Sequence, residues 1–220
     1  MERKTILTSD NSKTLLIPEL NETYHSTKGA MVEALYVFIQ EGLFKVDKKA
    51  IKIFEMGFGT GLNALVTFNA TIQKEISVDY HSIEKYPLSV DLIEELDHLN
   101  SLGYEKWQKE YHTMLSSPWN KSIEVHPNFK LQKLEGDLLS YQITATYDLI
   151  FFDAFGPKIQ AKLWSEEVCQ KMYDCLEKNG LLVTYCAQGQ FKRNLKSVGF
   201  EVESLPGPPG KREMTRAYKK

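Results

Sequence analysis

The stretch Ile51-Lys-Ile-Phe-Glu-Met56 is an apolar run of strand length. It passes without a break into Gly57-Phe-Gly59-Thr-Gly61 and then into Leu62–Phe68, whose composition reads as the start of a helix. Strand, glycine turn and helix in immediate succession open a βα unit. Glycines at the carboxyl end of a strand let the backbone approach a ligand closely, and the first turn of the helix leaves N–H groups free to meet it. Such a unit points to an open α/β sheet whose ligand sits beyond the strand ends.

The pattern then repeats. Further strands are expected at Val78–Ile83, Phe129–Leu134, Tyr147–Phe152 and Gly180–Tyr185, with helices beginning near Gly61, Pro87, Trp164 and Gln188. This alternation predicts a doubly wound α/β fold with a mostly parallel, seven-stranded sheet. Phe200–Ser204 and Glu213–Tyr218, joined by Leu205-Pro-Gly-Pro-Pro-Gly210, read as an antiparallel pair closing one edge. Asn100–Pro127 has no clean period and reads as a partly helical insertion that shapes a substrate pocket. Upstream, Thr5–Thr8 and Lys13–Ile17 flank a turn, and Ala30–Ile39 reads as a helix. The expected organisation is an N-terminal extension over residues 1–49 and one globular domain over 50–220, a length that supports one substantial core.

The ligand's chemistry follows from charge and spacing. A dinucleotide fingerprint needs a third glycine where Leu62 stands, so a pyrophosphate is disfavoured. Glu55, two residues ahead of Gly57, would repel a pyrophosphate and suits a cation. The ammonium and sulfonium of S-adenosylmethionine fit that demand. Glu84 ends the second strand where such folds accept two ribose hydroxyls, and Gly136-Asp137 ends the next where an adenine amino group would lie. The expected cofactor set is Glu55, Gly57, Phe58, Gly59, Thr60, Gly61, Asn63, Glu84, Gly136, Asp137 and Asp153. Asp153 closes the strand Tyr147–Phe152 just before Gly156-Pro157, which delivers its carboxylate to the same rim. There it can accept a hydrogen bond from an amine, aim the lone pair and help remove the proton, so it is the catalytic candidate.

Other chemistries find little support. There is no G-x-S-x-G elbow and no H-E-x-x-H, and the five histidines are scattered, so no metal is expected. Three cysteines without CxxC spacing read as buried free thiols. The first residues, MERKTILTSDNSK, lack the apolar stretch of a signal peptide, so a cytoplasmic location is expected. A net charge of −2 gives no global sign of nucleic-acid binding, yet Lys211–Lys220 holds five bases against one acid and reads as a phosphate-contacting tail or a solvated terminus. Rival readings are a transferase for a small-molecule amine, including an aminopropyl-transferring relative, and a module that binds the nucleoside without chemistry.

Glu55–Asn63, Phe151-Phe-Asp-Ala-Phe-Gly-Pro157 with Trp164 downstream, and Gly210-Lys-Arg-Glu-Met214 resemble the methyltransferase module of MnmC-type tRNA-modifying enzymes. The upstream Glu22-Thr-Tyr-His-Ser26, with Gly29 and Val37-Phe38, is similar to that family's entry segment. The resemblance implies methyl transfer from S-adenosylmethionine to the aminomethyl group of a wobble uridine in tRNA, with Asp153 contacting the amine. It implies that Tyr24 and Phe155 help form the substrate pocket and that Lys211 and Arg212 lie where tRNA phosphates pass. Lys158, Lys162, Lys192, Arg193 and Lys196 are further candidates to line the active-site rim. The sequence shows no flavin-dependent oxidoreductase domain after residue 220, so a stand-alone module is expected, served by enzymes that install the aminomethyl group.

Overall fold

A computed structural model describes all residues, 1–220. The chain starts as a small antiparallel sheet: β1 (Lys4–Leu7) pairs with β2 (Lys13–Ile17), and β3 (Glu22–Thr23) adds to β2. Asp10 closes the first turn by accepting from the Thr8 and Ser12 hydroxyls and the Ser12 amide. Helix α1 (Ala30–Ala34) continues as a π-helical stretch over Leu35–Gln40, and its buried Met31, Val37 and Phe38 join the core of the main domain.

The main sheet follows. Its elements are β4 (Ala50–Met56), α2 (Leu62–Lys74), β5 (Ser77–Glu84), α3 (Val90–Glu94), α4 (His98–Leu102), α5 (Gln108–Ser116), β6 (Ser122–His126) and β7 (Phe129–Glu135). They continue with β8 (Tyr147–Phe152), α6 (Glu166–Cys175), β9 (Leu176–Thr184), α7 (Gly189–Ser197), β10 (Glu201–Pro206) and β11 (Glu213–Tyr218). The strand order is β10-β11-β9-β8-β4-β5-β7-β6, and the five central strands run parallel. The sheet has eight strands where seven were expected, because β6 inside the insertion pairs antiparallel with β7.

Two apolar layers, one on each face, bury the sheet. That is why β4 is buried almost throughout rather than alternating. From β4 the chain proceeds to β5 and β7 on one side and later to β8 and β9 on the other, so the crevice between β4 and β8 is the topological switch point.

The insertion does not shape the cavity described below. It packs behind the glycine loop, where Tyr111 Oη donates to the Thr60 carbonyl at 3.0 Å and Trp107 Nε1 donates to Asn69 on α2 at 3.0 Å. Cys169, Cys175 and Cys186 are buried free thiols, and burial pushes the first two up to about 12. No helix is long and apolar enough to cross a membrane.

Candidate active site

The carboxyl ends of β4, β5, β7 and β8 open on one cavity of about 760 Å³, closed on its outer side by β3 and the segment Tyr24–Thr27. Of the residues expected to hold a cofactor, Gly57, Phe58, Gly59, Thr60, Asn63, Glu84, Gly136, Asp137 and Asp153 line it. Gly57 has φ +94°, and a Cβ there would stand 2.9 Å from the Asp153 carbonyl oxygen, so only glycine lets β4 and β8 end this close together. Gly59 donates its N–H to Glu84 Oε2 at 3.1 Å, and Tyr86 donates to Oε1 at 2.8 Å. The Glu84 carboxylate is thus held by two amides and keeps lone pairs for two hydroxyl donors. Asp137 accepts from Leu139 N at 3.0 Å and from Lys85 at 2.9 Å; the Lys85 bond holds its carboxyl below the usual range.

Asp153 projects from the end of β8, half-buried in the cavity wall. Asn63 Nδ2 donates to its Oδ2 at 2.8 Å, which leaves Oδ1 without a protein partner. Enclosure, and then the nearby Glu33 carboxylate, push its pKa up to about 7. The loop after it is fixed at three points. Gln160 Oε1 accepts from Phe155 N at 2.9 Å, Trp164 Nε1 donates to the Phe155 carbonyl at 2.9 Å, and Tyr185 Oη donates to the Ala154 carbonyl at 2.7 Å. Phe155 meets Tyr24 edge to face at 5.2 Å, so both expected substrate-pocket aromatics stand on the same wall.

The other expected residues take different places. Glu55 does not reach the cavity surface: it lies behind the wall, 1 % exposed, and neither carboxylate oxygen closes a hydrogen bond of normal geometry. Burial pushes it up to about 8, although Ser82, Asn63 and Tyr80 lie near enough to favour its anion. Gly61 also stands off the cavity; its φ of +73° starts α2, and its Cα faces Phe58 and Leu115. The basic tail is absorbed by the protein itself. Lys211 reaches into the cavity wall, pairs with Glu33 and lies 3.7 Å from the Tyr185 ring centroid. Arg216 pairs with Glu41 and Glu203, Lys219 donates to the Tyr173 and Leu176 carbonyls, and Lys220 pairs with Glu201. Arg212 is exposed and outside the cavity. Lys192 pairs with Glu213, Arg193 bonds Gln190, and with Lys158, Lys162 and Lys196 they too lie off the cavity wall.

Sequence reasoning overlooked Arg3, Glu33 and Tyr185 on this wall, and the tie between His25 and His98. Thr60 Oγ1 lies 3.3 Å from His25 Nε2 and 3.0 Å from His98 Nε2, which locks the glycine loop to the N-terminal wall and to α4. Both imidazoles are held neutral by burial, His25 down to about 4 and His98 well below its usual value. Arg3, Glu33, Tyr185 and His98 belong to no short motif that spacing alone would expose, and His25 was seen only as part of Glu22–Ser26.

A family of S-adenosyl-L-methionine-dependent methyltransferases matches residues 103–220, more than half of the chain. The chain belongs to this family. Curated relatives include the tRNA 5-methylaminomethyl-2-thiouridine biosynthesis bifunctional protein MnmC of Methylobacillus flagellatus, 29% identical over 88% of this chain and 32% of that protein. The same protein of Cupriavidus metallidurans is 30% identical over 94% of this chain and 33% of its own length. The chain therefore spans about a third of the curated relatives it matches. Among solved structures, MnmC2 from Aquifex aeolicus superposes with a TM-score of 0.75 at 24% identity, covering 100% of this chain and 70% of that one. Spermidine synthase from Thermotoga maritima shares the fold, with a TM-score of 0.56 at 14% identity over 98% of this chain and 71% of the other.

The methyltransferase's cavity fits its cofactor, S-adenosylmethionine. Five carboxylates line it against three cationic side chains, and Glu55 adds an orphaned buried carboxyl behind Asn63 and Asp153. A wall of this sign, with positive-φ glycines at the strand end, suits a cationic nucleoside.

Proposed function

We propose that the chain methylates the amine of an aminomethyl-uridine at the wobble position of tRNA, using Asp153 as the group that positions and deprotonates the acceptor. The observation that carries this reading is the Asp153 carboxylate at the switch point. One oxygen is tied to Asn63 and the other is free, beside the Tyr24–Phe155 aromatic wall. S-adenosylmethionine supplies an electrophilic methyl carbon. Glu84 would hold its ribose hydroxyls, Asp137 its adenine amino group, and Gly57–Gly59 its amino-acid end, while Glu55 stabilises its positive charge from behind the wall.

A neutral amine is required for attack. Asp153 Oδ1 accepts a hydrogen bond from the amine N–H, aims the lone pair along the transfer direction, and takes the proton that the methylated nitrogen sheds. Its pKa stands at about 7 in the free cavity, and the cofactor's positive charge then favours the anion that serves as the base. Tyr24 and Phe155 present an apolar edge for a flat base and keep water from the carboxylate.

The tRNA part of the reading is supported by the names of the MnmC relatives and by the resemblance of the loop Asp153–Pro157 to theirs. A cytoplasmic location, and cooperation with enzymes that install the aminomethyl group, go with this substrate. The test is methyl transfer to tRNA carrying or lacking the aminomethyl group, with Asp153→Ala as control. The expected result is label only on aminomethylated tRNA, lost at least a hundredfold in the variant. Equal labelling of both tRNAs removes the proposed acceptor.

A further inference from the structure

The three cationic side chains on the cavity wall are not equivalent. Lys85 is bound to Asp137 and Lys211 to Glu33, so each has a carboxylate of its own. Arg3, just ahead of β1, has none; its one protein bond runs from Nε to Tyr24 Oη at 3.2 Å. That bond aims the guanidinium and leaves both terminal nitrogens unused. The Tyr24 ring is itself fixed, edge to face against Phe155 and 3.5 Å from the point where a Cβ on Gly59 would stand. A guanidinium is always charged, and its planar fork matches two oxygens of one anion. In a cavity where carboxylates outnumber cations, an unpaired arginine held in place by a tyrosine is positioned for an anion that arrives with a ligand.

We infer that Arg3 is the cavity's anion anchor and takes a phosphate of the nucleotide whose base enters beside Tyr24 and Phe155. This rests on the proposed tRNA substrate. A base inserted between the aromatic wall and Asp153 carries its own phosphates to the rim. Of the basic residues first expected there, Lys211 is paired with Glu33, and Arg212 stands off the cavity. The S-adenosylmethionine carboxylate presents the same oxygen pair, and the experiment separates the two sources.

Arg3→Gln and Arg3→Lys are made in the full chain, with Tyr24→Phe as a third variant that keeps the guanidinium but removes its hydroxyl partner. Binding of aminomethylated tRNA is measured across a salt series, and S-adenosylmethionine and its decarboxylated analogue are titrated by calorimetry. In Arg3→Gln, tRNA affinity is expected to fall about tenfold and the slope of log affinity against log salt to shrink by about 0.7 to 0.9, one phosphate's share. Arg3→Lys keeps the slope and loses part of the affinity; Tyr24→Phe keeps the slope. Binding of the cofactor is unchanged in all three. Unchanged tRNA affinity and slope in Arg3→Gln, with an active wild type, overturns the assignment and leaves the proposed function standing. Weaker binding of S-adenosylmethionine but not of the decarboxylated analogue moves the anion to the cofactor and also overturns it. A wild type that neither binds nor methylates tRNA takes down both readings.

Discussion

Burial pushes Asp153 up to about 7 and Glu55 up to about 8, and the Asp153 carboxylate adds to the rise at Glu55, so cofactor uptake near neutrality should expel protons. A unit positive charge some 5 Å from a carboxylate is worth about 3 kcal/mol at an effective dielectric of 20, or about two pKa units. Loading then carries Asp153 from about 7 to near 5. Roughly a tenth of free Asp153 is ionised at about pH 6 and roughly three quarters at about pH 7.5, so affinity for S-adenosylmethionine should rise about eightfold over that interval. Above it the cofactor's own amine begins to titrate. At pH 7 about half a proton should leave Asp153 for each cofactor bound. Calorimetry in two buffers of different ionisation enthalpy reads that proton directly. Asp153→Asn and Glu55→Gln should each remove part of the pH slope and of the buffer dependence. Wild-type affinity that stays flat over the interval, with heats independent of buffer, would show that the cofactor's charge does not meet these carboxylates.

Gly57→Ala forces a Cβ to within 2.9 Å of a backbone oxygen at φ +94°. It should cost about 2 kcal/mol, seen as a fall of about 4–8 °C in the thermal midpoint, together with loss of cofactor binding; an unchanged melt would contradict the close approach. Asn63→Ala removes the donor that favours the Asp153 anion. The acid limb of kcat/KM should move up by about one pH unit, whereas a fall in rate with an unmoved limb assigns Asn63 a different task. His98 is buried and neutral in the fold but takes a proton near pH 6.5 when unfolded. Its folded pKa is depressed, so the stability it permits is whole above about pH 6.5 and drains as pH falls below that. His98→Asn should flatten the decline in denaturant midpoint between about pH 7 and pH 5, and an unaltered decline would place its cause elsewhere.

The frame of the site was legible because a few backbone rules decide it. Parallel strands buried on both faces read as apolar runs, and each run that ends in an acid must deliver that acid to the same sheet edge. Glu84, Asp137 and Asp153 arrive together for that reason. Glu55 fell outside the same logic by one position. Strand alternation turns its side chain into the layer between β4 and α2, so it works on the cavity from behind. β6 was missed because Ser-Ile-Glu-Val-His is a half-exposed edge strand with little apolar signal. Lys133 was open to a closer reading. In β7 it shares the parity of Phe129 and Leu131, and it is buried accordingly, donating to the Leu115 carbonyl at 2.6 Å beside Trp119 and Phe58. Arg3 had no such signal, since a lone arginine in a polar start acquires meaning only from what it lacks in three dimensions.

The slight negative charge of the chain says little about its partners, because much of it is committed to the cofactor and to internal pairs. A cationic cofactor demands acids where β4, β5 and β8 end, and each of those acids raises the cost of bringing a polyanion near the same rim. The C-terminal bases do not offset them. Four of the five are bound to carboxylates or carbonyls of their own chain. A polyanion must then be met by a few cations that no acid has claimed, and the shape of the cavity must supply much of the selectivity. The expected signature is a shallow salt dependence of tRNA binding, equivalent to about two or three phosphates rather than the six to ten of a strongly basic groove. A slope near the upper figure would mean that the internal ion pairs open on binding, and the charge assignments around Lys211 and Arg216 would have to be redrawn.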